Sequence, residues 1–74
     1  MSEELKKQIN YAVVCVNEFA NRKSMSPRAA FTYLYNNQGI KFLKENYDIE
    51  HTLSIDDAID DLEIVCHNNG GVLA

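Results

Sequence analysis

The sequence lacks a long apolar run. Its longest uninterrupted apolar stretch is YAVVCV, at residues 11–16, far below the roughly 20 residues that a helix needs to cross a bilayer. We therefore expect no membrane span and no membrane partner. The first ten residues are polar and lack the apolar core of a secretory signal, so we expect a cytoplasmic protein in which Cys15 and Cys66 are reduced thiols.

Positive charge is also scarce. Seven lysines and arginines stand against eleven aspartates and glutamates, so the formal net charge is −4 at pH 7. A field of this sign repels phosphate backbones and anionic lipid surfaces. The charge balance therefore disfavours nucleic acid as a partner.

Groups suited to catalysis or to holding a cofactor are few. The soft metal ligands are Cys15, Cys66, His51 and His67, and they lack the paired spacing of a zinc site. The sequence has no glycine-rich phosphate loop and no Ser-His-Asp arrangement, and a Cys-His pair would lack an oxyanion loop and an orienting group. We therefore expect neither an enzyme nor a bound cofactor.

What the sequence does contain is helical periodicity. Ser26 and Pro27 form a helix start signal, because a serine caps the first turn and a proline has its φ angle near the helical value. The helix that follows should bury Ala30, Phe31 and Leu34. In the first segment, apolar residues recur with the spacing of an amphipathic helix, at Leu5, Ile9, Ala12, Val13, Val16, Phe19 and Ala20.

Glycine and serine mark the remaining boundaries. Gly39 is expected to close the second helix in the left-handed conformation. Ser54 should cap a last helix that Gly70 stops, and the segment YDIEHTL, at residues 47–53, has no helical period and should be a loop. The sequence thus predicts an all-α fold in a single domain, 1–74. Its architecture is a compact bundle of three to four short helices, at about residues 2–23, 27–37, 40–46 and 55–68.

The most prominent motif is DDAID, at residues 56–60, which fits the DDxxD pattern of magnesium-diphosphate enzymes. At about 100° per residue, Asp56, Asp57, Asp60 and Asp61 share the side of the last helix that lies opposite its apolar residues. A magnesium site would need a deep cavity and ligands from another helix, which the sequence does not indicate. We expect the aspartates to face water or a partner, and a metal site is the remote alternative.

Apolar residues inside two polar helix faces indicate contact with another protein. Ile64 falls within the acidic arc, where it is a candidate anchor for a basic, apolar partner. Val14 lies in the polar face of the first helix, with Tyr11 beside it. A solvated face with an isolated exposed isoleucine is one alternative, and a homodimer is another. The predicted partner-binding residues are Asp57, Asp60, Asp61, Ile64, Tyr11 and Val14.

A helix-turn-helix DNA-binding regulator is the alternative function. The segment SPRAAFTYLYNNQGIKFL, at residues 26–43, contains two predicted helices joined through Gly39. The second helix would offer Lys41 and Lys44 to DNA, together with Glu45 and without an arginine. A steep loss of affinity with added salt would be the signature of this function.

Four stretches within residues 11–71 carry a family resemblance. They are Met25-Ser26-Pro27 at the start of the second helix, the Ala-Phe-x-Tyr-Leu run at 30–34, Gly39 followed by Phe42-Leu43, and HTLSIDDAIDDL from His51. Together they resemble a family of small, helical bacterial domains of unknown function, often encoded beside or fused to domains that resemble ADP-ribosyltransferases. The resemblance implies a cytoplasmic, non-enzymatic interaction module, such as an antitoxin-like or regulatory partner of an ADP-ribosyltransferase-type protein.

Overall fold

The computed structural model describes residues 2–71, and these residues form helices and no strand. The predicted all-α bundle is therefore confirmed. The helices are α1 (Glu3–Lys23), α2 (Pro27–Asn36), α3 (Gly39–Glu45), α4 (Tyr47–Glu50) and α5 (Ile55–Asn68). Among the described residues, no helix has the length and the apolar character that spanning a membrane requires.

The segment 47–53 was predicted to be a loop, and this prediction is wrong for its first half. The four residues of α4 form a helical turn, in which the Glu50 amide donates to the Asn46 carbonyl at 2.8 Å. The Thr52 hydroxyl then donates to the Ile49 carbonyl at 2.6 Å. A single turn is too short to show a 3.6-residue period, so the sequence pattern could not reveal it.

Serine side chains begin the three longest helices. The hydroxyls of Ser2, Ser26 and Ser54 each accept a hydrogen bond at 3.1 Å from the backbone amide three residues later. Each bond satisfies an amide that has no partner within its helix. The starts predicted at Ser26 and Ser54 are thus confirmed. Gly70, with φ of 86°, ends α5 as predicted.

The turn between α2 and α3 differs from the prediction. Gln38 takes the left-handed conformation, with φ of 70°, and Gly39 is instead the first residue of α3. Gly39 is buried, and a Cβ atom on it would lie 2.9 Å from the Leu34 Cδ2 atom and 3.2 Å from the Leu34 carbonyl oxygen. Glycine is therefore needed here for close packing of α3 on α2.

We expect Gly39→Ala to lower the free energy of unfolding by about 1 to 3 kcal/mol, the usual cost of overpacking a core. The close approach of the added methyl group to Leu34 outweighs the helix propensity that alanine gains. Urea unfolding followed by circular dichroism measures the change, with Ala29→Gly at an exposed position of α2 as the control for propensity alone. A Gly39→Ala protein as stable as the parent would contradict the packing argument.

One hydrophobic core joins α1, α2, α3 and α5. Phe19 lies fully buried at its centre, and its ring stacks on that of Tyr33 with centroids 5.7 Å apart. Cys15 and Cys66 are both buried there as free thiols. The buried apolar residues are Cys15, Val16, Phe19, Ala20, Ala30, Leu34, Leu43, Ala58, Ile59, Leu62 and Cys66.

Helix α1 is longer than the rest of the fold can cover. Its 21 residues span about 30 Å at 1.5 Å per residue, and the molecule measures 38 × 22 × 21 Å. The buried residues of α1 all lie from Cys15 onward. The N-terminal half of the helix therefore keeps its apolar stripe partly uncovered.

Candidate interaction surface

An apolar groove runs along the N-terminal half of α1, between that helix and α3. It consists of a depression of about 290 Å³ against α3 and a second of about 250 Å³ that continues it toward α2. We call the two together the α1–α3 groove. Its apolar lining residues are Leu5, Ile9, Ala12, Val13, Val16, Phe31, Ile40 and Leu43.

Four large side chains of the groove remain substantially in contact with solvent. The exposed fraction is 46% for Leu5, 43% for Ile9, 53% for Val13 and 47% for Phe31. The prediction that Phe31 is buried is therefore wrong. The first three residues were expected to belong to the helix face that packs on the core, but α2 and α3 are too short to cover them. The same periodicity that predicts a buried face thus produces an exposed one.

Basic and aromatic groups lie along the α3 side of the groove. Lys44 lines the groove itself, and a further depression beside it is lined by Tyr35, Ile40 and Lys41. The rings of Phe31 and Tyr35 stack on the surface of α2, with centroids 6.1 Å apart. Among residues 2–71, no carboxylate lines any of these three depressions. The surface is thus apolar with a positively charged edge, on a chain whose net charge is negative.

The acidic arc predicted on α5 is divided by contacts with α1. Arg22 donates to the Asp60 carboxylate at 2.5 Å and to the Asp56 backbone carbonyl at 3.2 Å. Lys23 pairs with Glu63 at 2.7 Å. These ion pairs connect the C-terminal end of α1 to one side of α5. The Asp60 carboxylate is therefore paired with Arg22, whereas the Asp56 carboxylate lies 3.7 Å from Arg22 and remains exposed. The helical wheel alone could not show this difference.

Asp61 lies on the other flank of the arc, beside a carboxyl group that the sequence did not single out. Glu50, in α4, is only 3% exposed, and its Oε1 atom has no hydrogen-bond partner among the described residues. Burial raises the pKa of Glu50 to about 7, and a hydrogen bond with Asp61 and its negative charge act in the same direction. A protonated Glu50 can donate to the Asp61 carboxylate.

Two groups of α1 complete this buried polar cluster. The Tyr11 hydroxyl is buried without a hydrogen-bond partner among the described residues, and its pKa is raised by burial and by the nearby Cys15, Glu50 and Asp61. The Tyr11 ring meets that of Tyr47 edge-on at 5.5 Å. We call Tyr11, Cys15, Glu50 and Asp61 the Glu50 cluster. These four groups lie where α4 meets α1 and α5.

The predicted partner-binding residues thus fall into three groups. Asp57, Ile64 and Val14 are exposed, and Ile64 is 59% exposed. Asp60 is paired with Arg22. Asp61 and Tyr11 are half-buried in the Glu50 cluster. No signal in the sequence marked Glu50, because a lone glutamate in a segment without periodicity normally lies in solvent.

In the part of the chain that the structure describes, the geometry supports neither a metal site nor a reactive thiol. Within residues 2–71, no group of three or more histidine, cysteine, aspartate or glutamate side chains is arranged to hold a metal ion. Burial raises the pKa of the Cys15 and Cys66 thiols, which disfavours the reactive thiolate. The DDAID motif is explained by the start of α5 and by its pairing with Arg22.

The fold and this surface define a small all-α domain with an apolar groove on its exterior. The chain belongs to the family described as "Protein of unknown function (DUF3791)", whose model matches residues 10–69. The family resemblance noted in the sequence is thereby confirmed as that of a domain of unknown function. No curated protein and no solved structure matches the chain.

Proposed function

We propose that this chain is a non-enzymatic protein-interaction module and that the α1–α3 groove is its contact surface. The observation that carries the proposal is the exposure of Leu5, Ile9, Val13 and Phe31 along one continuous depression. Scattered exposed apolar residues are normal, but a contiguous apolar patch on a small domain marks an interaction site. Covering the groove would remove this surface from water at a gain of about 25 cal/mol per Å².

The proposed partner is an ADP-ribosyltransferase-type protein, toward which the chain acts as an antitoxin-like or regulatory subunit in the cytoplasm. Support comes from the resemblance of residues 11–71 to bacterial domains encoded beside such proteins. The groove supplies the physical means, since a binding module needs an uncovered apolar surface and no catalytic group of its own. The exposed residues Asp57, Ile64 and Val14 are the competing contact surface.

Co-expression with the ADP-ribosyltransferase-type protein encoded beside the chain tests this function. We expect the two proteins to co-purify through size-exclusion chromatography. Ile9→Glu should weaken the complex roughly 30-fold or more, because it places a charge in an apolar contact, and central anchors of interfaces cost 2 kcal/mol or more when lost. Ile9 is partly exposed, so we expect the variant to fold.

Ile64→Arg is the matched control, because it places a charge at an exposed apolar residue outside the groove. We expect this variant to bind as well as the parent. If Ile64→Arg breaks the complex and Ile9→Glu does not, the surface around Asp57 and Ile64 is the contact site. If neither protein retains the other in the absence of any substitution, the proposed partner is wrong.

DNA binding is the second candidate function, and the exposure of Lys41 and Lys44 on α3 is the observation in its favour. Tyr35 and Ile40 beside these lysines are a poorer fit to a phosphate backbone than to an apolar partner. A mobility-shift assay with mixed duplex DNA at low salt tests this function. A shift that disappears with added salt and with Lys41→Glu would support it, and the lack of any shift would eliminate it.

A further inference from the structure

We propose that the occupant of the α1–α3 groove is an amphipathic helix of another protein that carries carboxylates beside its apolar face. This proposal rests on the proposed function, because it names the class of partner that the same groove would bind. Three features of the groove support it: the arrangement of its walls, the hydrogen-bonding state of its backbone, and the charge along its edge.

The walls of the groove have the dimensions of a helix-binding site. Leu5, Ile9, Ala12 and Val16 lie one turn apart along α1, so this wall extends over three turns, or about 16 Å at 1.5 Å per residue. The opposite wall comes from α3, mainly through Ile40. A third helix lying between two helices buries side chains with i, i+3 or i+4, and i+7 spacing, which is the usual mode of helix binding in a groove.

The backbone of the groove favours a helix over an extended peptide. The α1 wall of the groove lies within a 21-residue helix, so its backbone amides and carbonyls between Ile9 and Val16 are bonded within α1. Residues 2–71 contain no strand edge to which a peptide could add. An extended peptide would bury its backbone groups against apolar side chains without partners, at a substantial cost for each. A helical partner forms its backbone hydrogen bonds within itself, so it avoids this cost.

The positive charge along the edge of the groove favours a bound helix that has carboxylates beside its apolar face. Lys44 lies in the lining and Lys41 lies beside it, and neither forms an ion pair with another residue of the described chain. The carboxylates on the inner side of α5 are instead paired with Arg22 and Lys23 at the far end of α1. A carboxylate beside the apolar face of a bound helix would form an ion pair with Lys41 or Lys44.

A second copy of this chain fits the groove less well. Its own α1 carries the required apolar stripe, but Glu3 and Glu4 before Leu5 are matched by Lys6 and Lys7 after it, and Lys6 already pairs with Glu3 at 3.7 Å. Docking would therefore bring no net negative charge to Lys44. Each copy also carries a net charge of −4, and the two fields repel. A homodimer is therefore an outcome for the experiment to detect.

Two synthetic helical peptides test the proposal directly. Each has leucines at i, i+3, i+4 and i+7 spacing, and the flanking positions are all glutamate in one peptide and all lysine in the other. We expect the fluorescently labelled glutamate peptide to bind at least about tenfold more tightly at low salt by anisotropy, with a difference that shrinks as salt is added. Amide shifts of Ile9, Ile40 and Lys44 should change on titration.

Charge reversal in the protein provides the matched test. The double variant Lys41→Glu/Lys44→Glu should prefer the lysine peptide, and the control Lys7→Glu, at an exposed lysine outside the groove lining, should keep the original preference. Ile9→Glu should weaken both peptides. Equal affinity of the parent for the two peptides, or binding of neither, would overturn the acidic-helix proposal. The proposed function would then be tested by the co-expression experiment alone.

Two further outcomes are informative. Binding that survives Ile9→Glu unchanged would overturn the groove itself as the contact surface, and with it this proposal. Sedimentation at increasing protein concentration measures the oligomeric state of the parent and of Ile9→Glu. A dimer that Ile9→Glu dissociates would assign the groove to a second copy and overturn the acidic helix as its occupant, while a monomer at all concentrations supports a partner from another protein.

Discussion

Replacing Glu50 with glutamine is expected to stabilise the protein at pH 8 and to remove a fall in stability that the parent shows between about pH 4.5 and pH 7. The Glu50 carboxyl is almost fully buried beside Asp61. Its ionisation in the folded state therefore adds a second negative charge where water cannot solvate it. Glutamine has nearly the same shape as glutamic acid, and its amide can donate a hydrogen bond to Asp61, as a protonated Glu50 can.

The direction of the change in stability with pH follows from the pKa of Glu50 in the folded and the unfolded chain. Its pKa is about 7 in the folded protein and 4.5 in the unfolded reference, so between these values the folded chain holds a proton that the unfolded chain has released. The contribution of Glu50 to the free energy of unfolding is therefore largest below pH 4.5. It decreases as the pH rises and levels off above pH 7. The total loss is on the order of 3 kcal/mol, at 1.36 kcal/mol per unit of pKa difference.

Urea unfolding of the parent and of Glu50→Gln at pH 5, 6, 7 and 8 measures this effect. The parent midpoint should decrease across the series more than that of the variant. Glu45→Gln, at an exposed glutamate near the end of α3, is the control and should follow the parent. Parallel curves for the parent and Glu50→Gln would show that Glu50 does not carry the pH dependence.

Phe19→Ala is expected to lower the free energy of unfolding by about 3 to 5 kcal/mol, the typical cost of removing a buried phenylalanine ring. Phe19 is fully buried and stacks on Tyr33, so its loss leaves a cavity that the surrounding helices can only partly fill. For a domain of 74 residues, a loss of this size is a large share of the 5 to 15 kcal/mol that folded proteins commonly have.

Phe31→Ala is the matched variant, with the same chemical change at an exposed ring of the groove. We expect it to cost less than about 1 kcal/mol in stability, because no enclosed cavity forms. It should nevertheless weaken binding of the partner, since Phe31 lines the groove. Guanidinium unfolding compares the two stabilities, and the co-purification assay reads binding. Equal destabilisation by the two substitutions would mean that Phe31 belongs to the core.

The contrast between these two phenylalanines shows where the tertiary structure changes the candidate site. Both rings occupy apolar positions of predicted helices, and only Phe19 is enclosed on all sides. The predicted acidic surface is altered in the same way. Asp60 and Asp61 both lie on the polar side of the α5 helical wheel. In the structure, Asp60 pairs with Arg22, and Asp61 lies beside the buried Glu50. The part that remains open to a partner contains Asp57 and Ile64.

The local features of the fold were accessible from the sequence alone. Ser26 with Pro27 and Ser54 mark helix starts, because a cap depends only on a few neighbouring residues. The stop at Gly70 is equally local, since it needs only a residue that tolerates a positive φ angle. The all-α class and the long first helix follow from apolar spacing that repeats over many residues.

The groove and the Glu50 cluster depend on contacts between distant parts of the chain. An apolar stripe predicts that some surface will be buried, but it does not say whether this chain contains enough helix to cover it. Leu5 and Ile9 remain exposed because α2 and α3 reach only part of α1, whereas Glu50 is buried because α4 docks beside Tyr11 and Asp61. The sequence by itself determined where the four longer helices form, and only their packing decided which faces are left for a partner.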